Sequence, residues 1–270
     1  MNHILVQIIR DKVQEVQAQK QQLPLESLAD QAAGLPKCRN FYHAVTKSHP
    51  RGLNVIAEVK KASPSAGVIR ADFDPVAIAR TYEQCGADAI SVLTDEKYFQ
   101  GKLEYLTAVK AAVSIPVLRK DFIIDPYQVY QARAAGADAI LLIAEALPTG
   151  HLMDLLILAN ELTLSVLIES HNADSLLKIR SMVGFPQKHY TVLGINNRDL
   201  NTMTVDLNTT SRLAELVDNP RELVSESGIK TRQDVRKLVQ LGVGAVLIGE
   251  TLCKSPSIED KFRELFAPER

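Results

Sequence analysis

The sequence predicts an α/β fold, a (β/α)8 TIM barrel behind an N-terminal helical extension, and three observations predict it. Eight short apolar runs punctuate the chain, at 55–60, 89–94, 116–120, 139–144, 165–169, 192–197, 223–227 and 245–250, with helix-like segments between them. The runs are apolar without alternation, as in strands of a parallel sheet buried on both faces. Residues 85–94 (C-G-A-D-A-I-S-V-L-T) and 135–144 (A-G-A-D-A-I-L-L-I-A) are nearly one phrase, and 241–250 (L-G-V-G-A-V-L-I-G-E) is a variant. In each, a glycine ends a helix where a positive φ is needed and a strand follows at once. A doubly wound sheet would need a switch in strand order, which a sequence does not display. Eight units with three similar glycine turns favour closure.

The elements follow in order. Ile4, Leu5, Ile8, Ile9, Val13 and Val16 fall at helical spacing. A second helix is expected from Ser27 or Leu28, broken by Gly34-Leu35-Pro36, and a third around 39–47. This extension, residues 1–48, is expected to cap the barrel or cover part of its mouth. The barrel is expected over 49–270, and the whole as a single domain, because no linker rich in Pro, Gly or Ser interrupts it. Amphipathic helices are expected at 75–84, 103–112, 126–135, 152–162, 173–182, 209–216 and 233–241. G-V-G-A-V-L is not a dinucleotide fingerprint, because here the helix precedes the glycines. The sequence stops after the eighth helix, so no fused second enzyme is expected.

Composition narrows the function classes. In 270 residues, 31 Lys and Arg nearly balance 32 Asp and Glu, without a polybasic run. Trp is absent and aromatics are 5%. A basic footprint and a stacking platform are thus both missing, and nucleic acid is not an expected partner. No apolar run approaches the ~20 residues that span a bilayer, and the N-terminus lacks a cleavage pattern. Three Cys without a CxxC pair read as reduced thiols. A cytoplasmic protein, monomeric or weakly homo-oligomeric, without membrane contact, is expected.

In a barrel the C-terminal strand ends meet over one mouth, so their residues carry the chemistry. Strand 1 ends A-E-V-K-K-A-S-P-S; Glu58 and Lys60 lie two apart and share the inward face. Strand 3 ends V-L-R-K-D. Desolvation at that position is expected to lower the pKa of Lys120 for acid/base or Schiff-base work, unless the lysine pairs with Asp121 at the surface. Strand 5 ends at Glu169, whose apolar surroundings are expected to raise its pKa. His171, just beyond, reads as an ordinary loop residue, since no other His or Cys stands at metal-ligand spacing. Asn196 at strand 6 can orient a hydroxyl, and Arg198 can grip a phosphate or carboxylate. The ends of strands 7 and 8, S-E-S-G-I and L-I-G-E-T-L, read as a phosphate site. There Gly228 and Gly249 allow close backbone approach, and Glu250 offers its N–H while its carboxylate turns away. Ser63 and Ser65 can close that site from the loop after strand 1. Strands 2 and 4 end apolar and are expected to form the pocket wall. No metal cluster or cofactor motif is present in the sequence. These residues imply acid/base chemistry on a small phosphorylated carbonyl compound, and leave an isomerase, an aldolase and a lyase level.

The strand-end phrases together resemble the indole-3-glycerol phosphate synthase family. They are A-E-V-K-K-A-S-P-S, F-D-P, S-V-L-T-D-E-K-Y-F-Q-G, L-R-K-D-F-I-I-D-P, G-I-N-N-R-D-L, S-E-S-G-I and L-I-G-E-T-L, in order along the chain. The resemblance implies conversion of 1-(2-carboxyphenylamino)-1-deoxyribulose 5-phosphate to indole-3-glycerol phosphate, CO₂ and water, without a cofactor. It implies that Lys120 is the general acid at ring closure and that Lys60 binds the anthranilate carboxylate. Glu169 then serves dehydration, while Glu58 and Asn196 hold catalytic groups and hydroxyls. Glu226 and Ser227 line the site, and Phe99 packs on the aromatic ring. Ser63, Arg198, Gly228, Gly249 and Glu250 fall where the family holds the phosphate. Two departures are visible. Ser170 stands where Val is common, so a more polar environment for Glu169 is expected. Segment 182–191 is long, and is expected to lie away from the mouth. The rival readings are phosphoribosylanthranilate isomerase, a Schiff-base aldolase through Lys120, and a non-catalytic phosphometabolite-binding barrel. The isomerase is disfavoured because it needs one acid/base pair rather than two lysines with Glu169. The binding barrel is disfavoured because the strand-end charges are all present.

Overall fold

The computed structural model describes residues 3–199 and 202–267; Leu200, the last residue of the strand-6 phrase, lies outside them. Eight parallel strands close into a barrel. They are β1 (Asn54–Val59), β2 (Ala89–Leu93), β3 (Val117–Lys120), β4 (Ala139–Ile143), β5 (Ser165–Ser170), β6 (Thr191–Asn196), β7 (Leu223–Glu226) and β8 (Ala245–Ile248). Each expected apolar run overlaps one of them, the bounds differing by a residue or two. Sequential strands are neighbours, and β8 closes on β1 with Ala245 opposite Asn54.

The extension forms α1 (His3–Gln22), α2 (Leu25–Ala33) and α3 (Phe41–Thr46). The expectation that it would cap the barrel or cover the mouth is met at both ends. Phe41, Tyr42 and Val45 of α3 pack on the inward residues at the strand N-termini, Ala89, Ala139, Val192 and Ala245 among them. Asn54 anchors that plug, donating from Nδ2 to the carbonyls of Val45 and Lys47 at 3.0 and 2.9 Å. Segment 182–191 also lies at this end, where the His189 ring meets Tyr42 edge-on at 5.2 Å. At the opposite end, Ile4, Leu5 and Ile8 of α1 line the mouth.

One ionic cluster ties α1 there. Lys12, only 1% exposed, lies 2.9 Å from Asp95, 3.1 Å from Asp121 and 2.8 Å from Glu15. Burial opposes the lysine's charge, yet Asp121 and Asp95 outweigh it and raise its pKa above the ordinary value. Arg119 and Thr94 complete the cluster from β3 and the end of β2, both bonding Asp121. Removing one partner of such a group leaves buried charge uncompensated. Lys12→Met is therefore expected to cost about 3–5 kcal/mol, read as a lowered denaturation midpoint; an unchanged midpoint would show that α1 is not held this way.

The barrel helices are α4 (Pro75–Gln84), α6 (Leu103–Ala112), α7 (Pro126–Ala134), α8 (Thr149–Glu161), α9 (Ala173–Ile179), α10 (Asn208–Ala214), α11 (Arg232–Gln240) and α13 (Ile258–Phe266). Two short ones, α5 (Glu96–Phe99) and α12 (Glu250–Cys253), follow β2 and β8; they occupy single turns too brief to show a helical period. The Gly-Ala-Asp phrases have a structural cause. Gly86 and Gly136 take φ of 90° and 89°, and the aspartate two residues on accepts an N–H at the start of a neighbouring strand. Asp88 accepts from Val55 N, and Asp138 from Val117 N, each at 2.9 Å. In the third phrase Gly244 stands in that position, and its carbonyl accepts from Asn54 N instead.

Candidate active site

Strand parity decides which residues enter the barrel. Side chains alternate between faces, so Ile56 carries Glu58 and Lys60 inward, Leu118 carries Lys120, Leu167 carries Glu169, and Val224 carries Glu226. The first residue of each series packs in the inner cluster. All thirteen candidate residues, from Glu58 to Glu250, line one pocket at the strand C-termini. Its apolar wall includes Leu93, Leu141 and Ile143 from β2 and β4, as their apolar ends predict. Phe99 of α5 faces Phe122 across it, ring centroids 6.2 Å apart. Phe122, Met203 and the apolar residues of α1 also line the pocket. The sequence marks none of these, because an apolar loop or helix residue looks the same whether it meets core or ligand.

The charges form one group. Lys120 Nζ lies 2.9 Å from Glu169 Oε2 and 3.2 Å from Glu226 Oε2, and Lys60 donates to Glu58 Oε1. The alternative pairing of Lys120 with Asp121 is absent, since Asp121 turns outward to Lys12 and Arg119. Two expectations about protonation are reversed. Burial disfavours the charge on Lys120, but Glu169, Glu226 and Glu58 outweigh it, so its pKa is raised, not lowered. Burial would raise Glu169, but Lys120 and His171 hold it well below the ordinary carboxylate value. The proton stays on Glu226 instead. Burial pushes that carboxyl up to about 8, Lys120 opposing and Glu169 assisting. Neither of its oxygens meets an aligned hydrogen-bond donor, so only Lys120 favours its ionisation.

Glycines make room for these carboxylates. A Cβ on Gly194 would stand 2.4 Å from Glu226 Oε1, and one on Gly249 only 2.3 and 2.9 Å from Glu58 Oε1 and Cβ. Gly249 thus clears space for Glu58 as well as opening α12. Gly194 sits inside an apolar strand phrase whose sequence reveals no such need.

Two readings around β5 are corrected. Ser170 faces outward and donates to Asn172 O at 3.0 Å, so it does not make the surroundings of Glu169 more polar. His171 is not an ordinary loop residue: it is buried between Glu145 and Glu169. Glu145 follows the apolar end of β4, so that strand contributes a charge as well as wall.

Of the Asn-Asn pair at β6, Asn196 lines the pocket and its Oδ1 accepts from Arg198 N at 3.0 Å. Asn197 is buried structure. It donates to Glu226 O and Ser227 O, and its Oδ1 accepts from Thr210 N and Oγ1. That holds the β7 end, where Ser227 and Gly228 take positive φ of 66° and 83°. Opposite, Glu250 turns its carboxylate to Lys254 at 2.6 Å, with Arg198 at 3.6 Å. Ser63 and Ser65 hydroxyls are 3.5 Å apart across the small hairpin after β1.

A barrel mouth with two lysines, three inward glutamates and a glycine-lined rim is what the strand-end phrases imply. The family model of indole-3-glycerol phosphate synthase matches residues 5–265. The chain belongs to the indole-3-glycerol phosphate synthase family. A relative of that name from Rhodopirellula baltica is 46% identical over 257 residues, 95% of this chain and 96% of its own. Another, from Roseiflexus castenholzii, is 46% identical over 98% of both chains. Among solved structures, a 3-hexulose-6-phosphate synthase superposes with a TM-score of 0.62 over 80% of this chain and 99% of its own. At 16% identity that likeness shows the barrel alone. It omits a fifth of the chain, whereas the synthase family model reaches from residue 5 and so includes most of the helical extension. Among the described residues, no helix is long and apolar enough to cross a membrane.

Proposed function

We propose that this site closes the indole ring of 1-(2-carboxyphenylamino)-1-deoxyribulose 5-phosphate, releasing CO₂ and water. The observation that carries the reading is Lys120, buried and charged between Glu169 and Glu226. In the reaction, the ring carbon bearing the carboxylate bonds to the carbonyl carbon, whose oxygen takes a proton. The carboxylate leaves as CO₂ and returns its electron pair to the ring. The new hydroxyl then leaves as water while the adjacent methylene gives up a proton.

Lys120 donates to the carbonyl oxygen, where an ammonium stabilises the charge that builds. Lys60 binds the anthranilate carboxylate, and Phe99 packs on the ring. Glu58 and Asn196 hold the lysine and the substrate hydroxyls, which brings the flexible chain against the ring. Ionised Glu169 accepts the methylene proton, and protonated Glu226 gives one to the leaving hydroxyl beside Ser227. The phosphate rests on the backbone N–H groups around Gly228, Gly249 and Glu250, with Ser63 and Arg198 closing over it. The molecule is read as a single domain acting in the cytoplasm, monomeric or weakly associated.

A Schiff-base aldolase would need Lys120 as a free amine, which its three carboxylate neighbours oppose. The deciding experiment follows indole-glycerol phosphate formation by absorbance from the carboxyphenylamino substrate; absence of product with folded protein overturns the reading. A pH dependence follows from Glu226. As pH rises through about 8 the carboxyl loses its proton, while Lys120, titrating higher, stays charged. The pH profile of kcat should therefore fall on the alkaline side near 8, and Glu226→Gln should abolish that limb along with most turnover. An identical limb in the variant would assign it to another group.

A further inference from the structure

The steps above use Glu169 but not the side chain at its other oxygen. His171 is 7% exposed, with Nδ1 3.1 Å from Glu145 Oε2 and Nε2 3.2 Å from Glu169 Oε1. Glu145 is itself held: its Oε1 accepts from His171 N at 2.9 Å and from Asn172 Nδ2 at 3.3 Å. The Nε2 contact is off the hydrogen-bond line, leaving a buried nitrogen without an aligned partner beside Glu169. A neutral imidazole would present a lone pair to one of the two carboxylates, whereas an imidazolium donates toward both. The charged groups facing the ring are Glu145 from the loop after β4 and Glu169 on β5, with Lys120 and Glu226 beyond Glu169. Burial opposes charge on the ring, but the two glutamates outweigh it and raise its pKa to about 10.

We infer that His171, an imidazolium bridging Glu145 and Glu169, is a positioning residue that keeps Glu169 ionised and turned toward Lys120, with Glu145 as its outer anchor. The inference rests on the reading of Glu169 as the base. It answers a need of that reaction. When Lys120 passes its proton to the substrate, it ceases to hold Glu169 as a carboxylate, and burial favours the neutral acid. His171 is the cation that remains in contact with Glu169, so the base stays available for the later proton.

The test compares kcat and kcat/KM against pH for the wild type, His171→Gln, His171→Asn and Glu145→Gln, each with a thermal melt. Glutamine can still donate to Glu169, and asparagine to Glu145, but neither carries charge. Both histidine variants should shift the acid limb of kcat upward by about one pH unit or more, with KM changed little; Glu145→Gln should shift it less, in the same direction. Loss of activity by one factor at every pH, or restoration of the wild-type profile by His171→Gln, overturns the charge-setting role. If the histidine variants do not fold, Glu145→Gln decides alone, and an unmoved acid limb there overturns the inference. Failure of the reading of the site shows separately, as a wild-type protein that makes no indole-glycerol phosphate.

Discussion

Lys120→Met is expected to lower turnover by about 10³-fold or more while substrate still binds. Methionine nearly matches the lysine stem in length, so the wall of the barrel keeps its packing. What disappears is the only side chain ion-paired with both Glu169 and Glu226 among the described residues. Without its charge Glu226 holds its proton more firmly, because burial opposes its ionisation and Glu169 adds like charge beside it. The phosphate rim, formed by other loops, is untouched, and affinity should change by far less than turnover. Single-turnover kinetics measures the first effect and fluorescence titration with substrate the second. Near wild-type turnover would remove Lys120 as the acid. Equal losses in binding and turnover would make it a binding group instead.

Glu169→Gln is expected to slow turnover by about 10²- to 10³-fold, with the loss confined to the dehydration half. The amide is isosteric, but only its oxygen accepts, so it keeps one of the two contacts to Lys120 and His171, and it does not take up a proton at neutral pH. Ring closure and loss of CO₂ precede the step that needs it, so a ring-closed, decarboxylated intermediate should accumulate. Rapid quench over the first turnovers detects it. If residual turnover is slow and no intermediate appears, Glu169 acts earlier or a different step is limiting. Lys120 also keeps its contact with Glu226 in this variant, so its own proton donation should survive.

Much of this site is legible in the sequence. Period-two alternation within a buried strand places Glu58 with Lys60 and carries Lys120, Glu169 and Glu226 to the mouth. The protonation states are not legible there, because the sequence shows each residue only against its own apolar neighbours. Lys120 alone at an apolar strand end should lose its proton, and Glu169 alone should gain one. Brought together, they hold each other charged, and the carboxyl without aligned donors, Glu226, keeps the proton. The setting of His171 is hidden in the sequence for the same reason. Its partner Glu145 lies 26 residues away in sequence, in a loop after a strand whose end looks purely apolar. Gly194 likewise has a purpose only once Glu226 stands against it.

From the chain alone follow the eight-strand barrel, its helical extension, the single mouth and the residues that reach it. These are consequences of local periodicity, glycine turns and strand parity, which act over a few residues. The ends of the extension, the pairing of charges and the residence of each proton depend on distances between strands far apart in sequence. Electrostatic energy in a buried site is set by those distances, so α1 over the mouth, α3 beneath the barrel and the Glu145–His171–Glu169–Lys120–Glu226 array emerge only when the barrel closes.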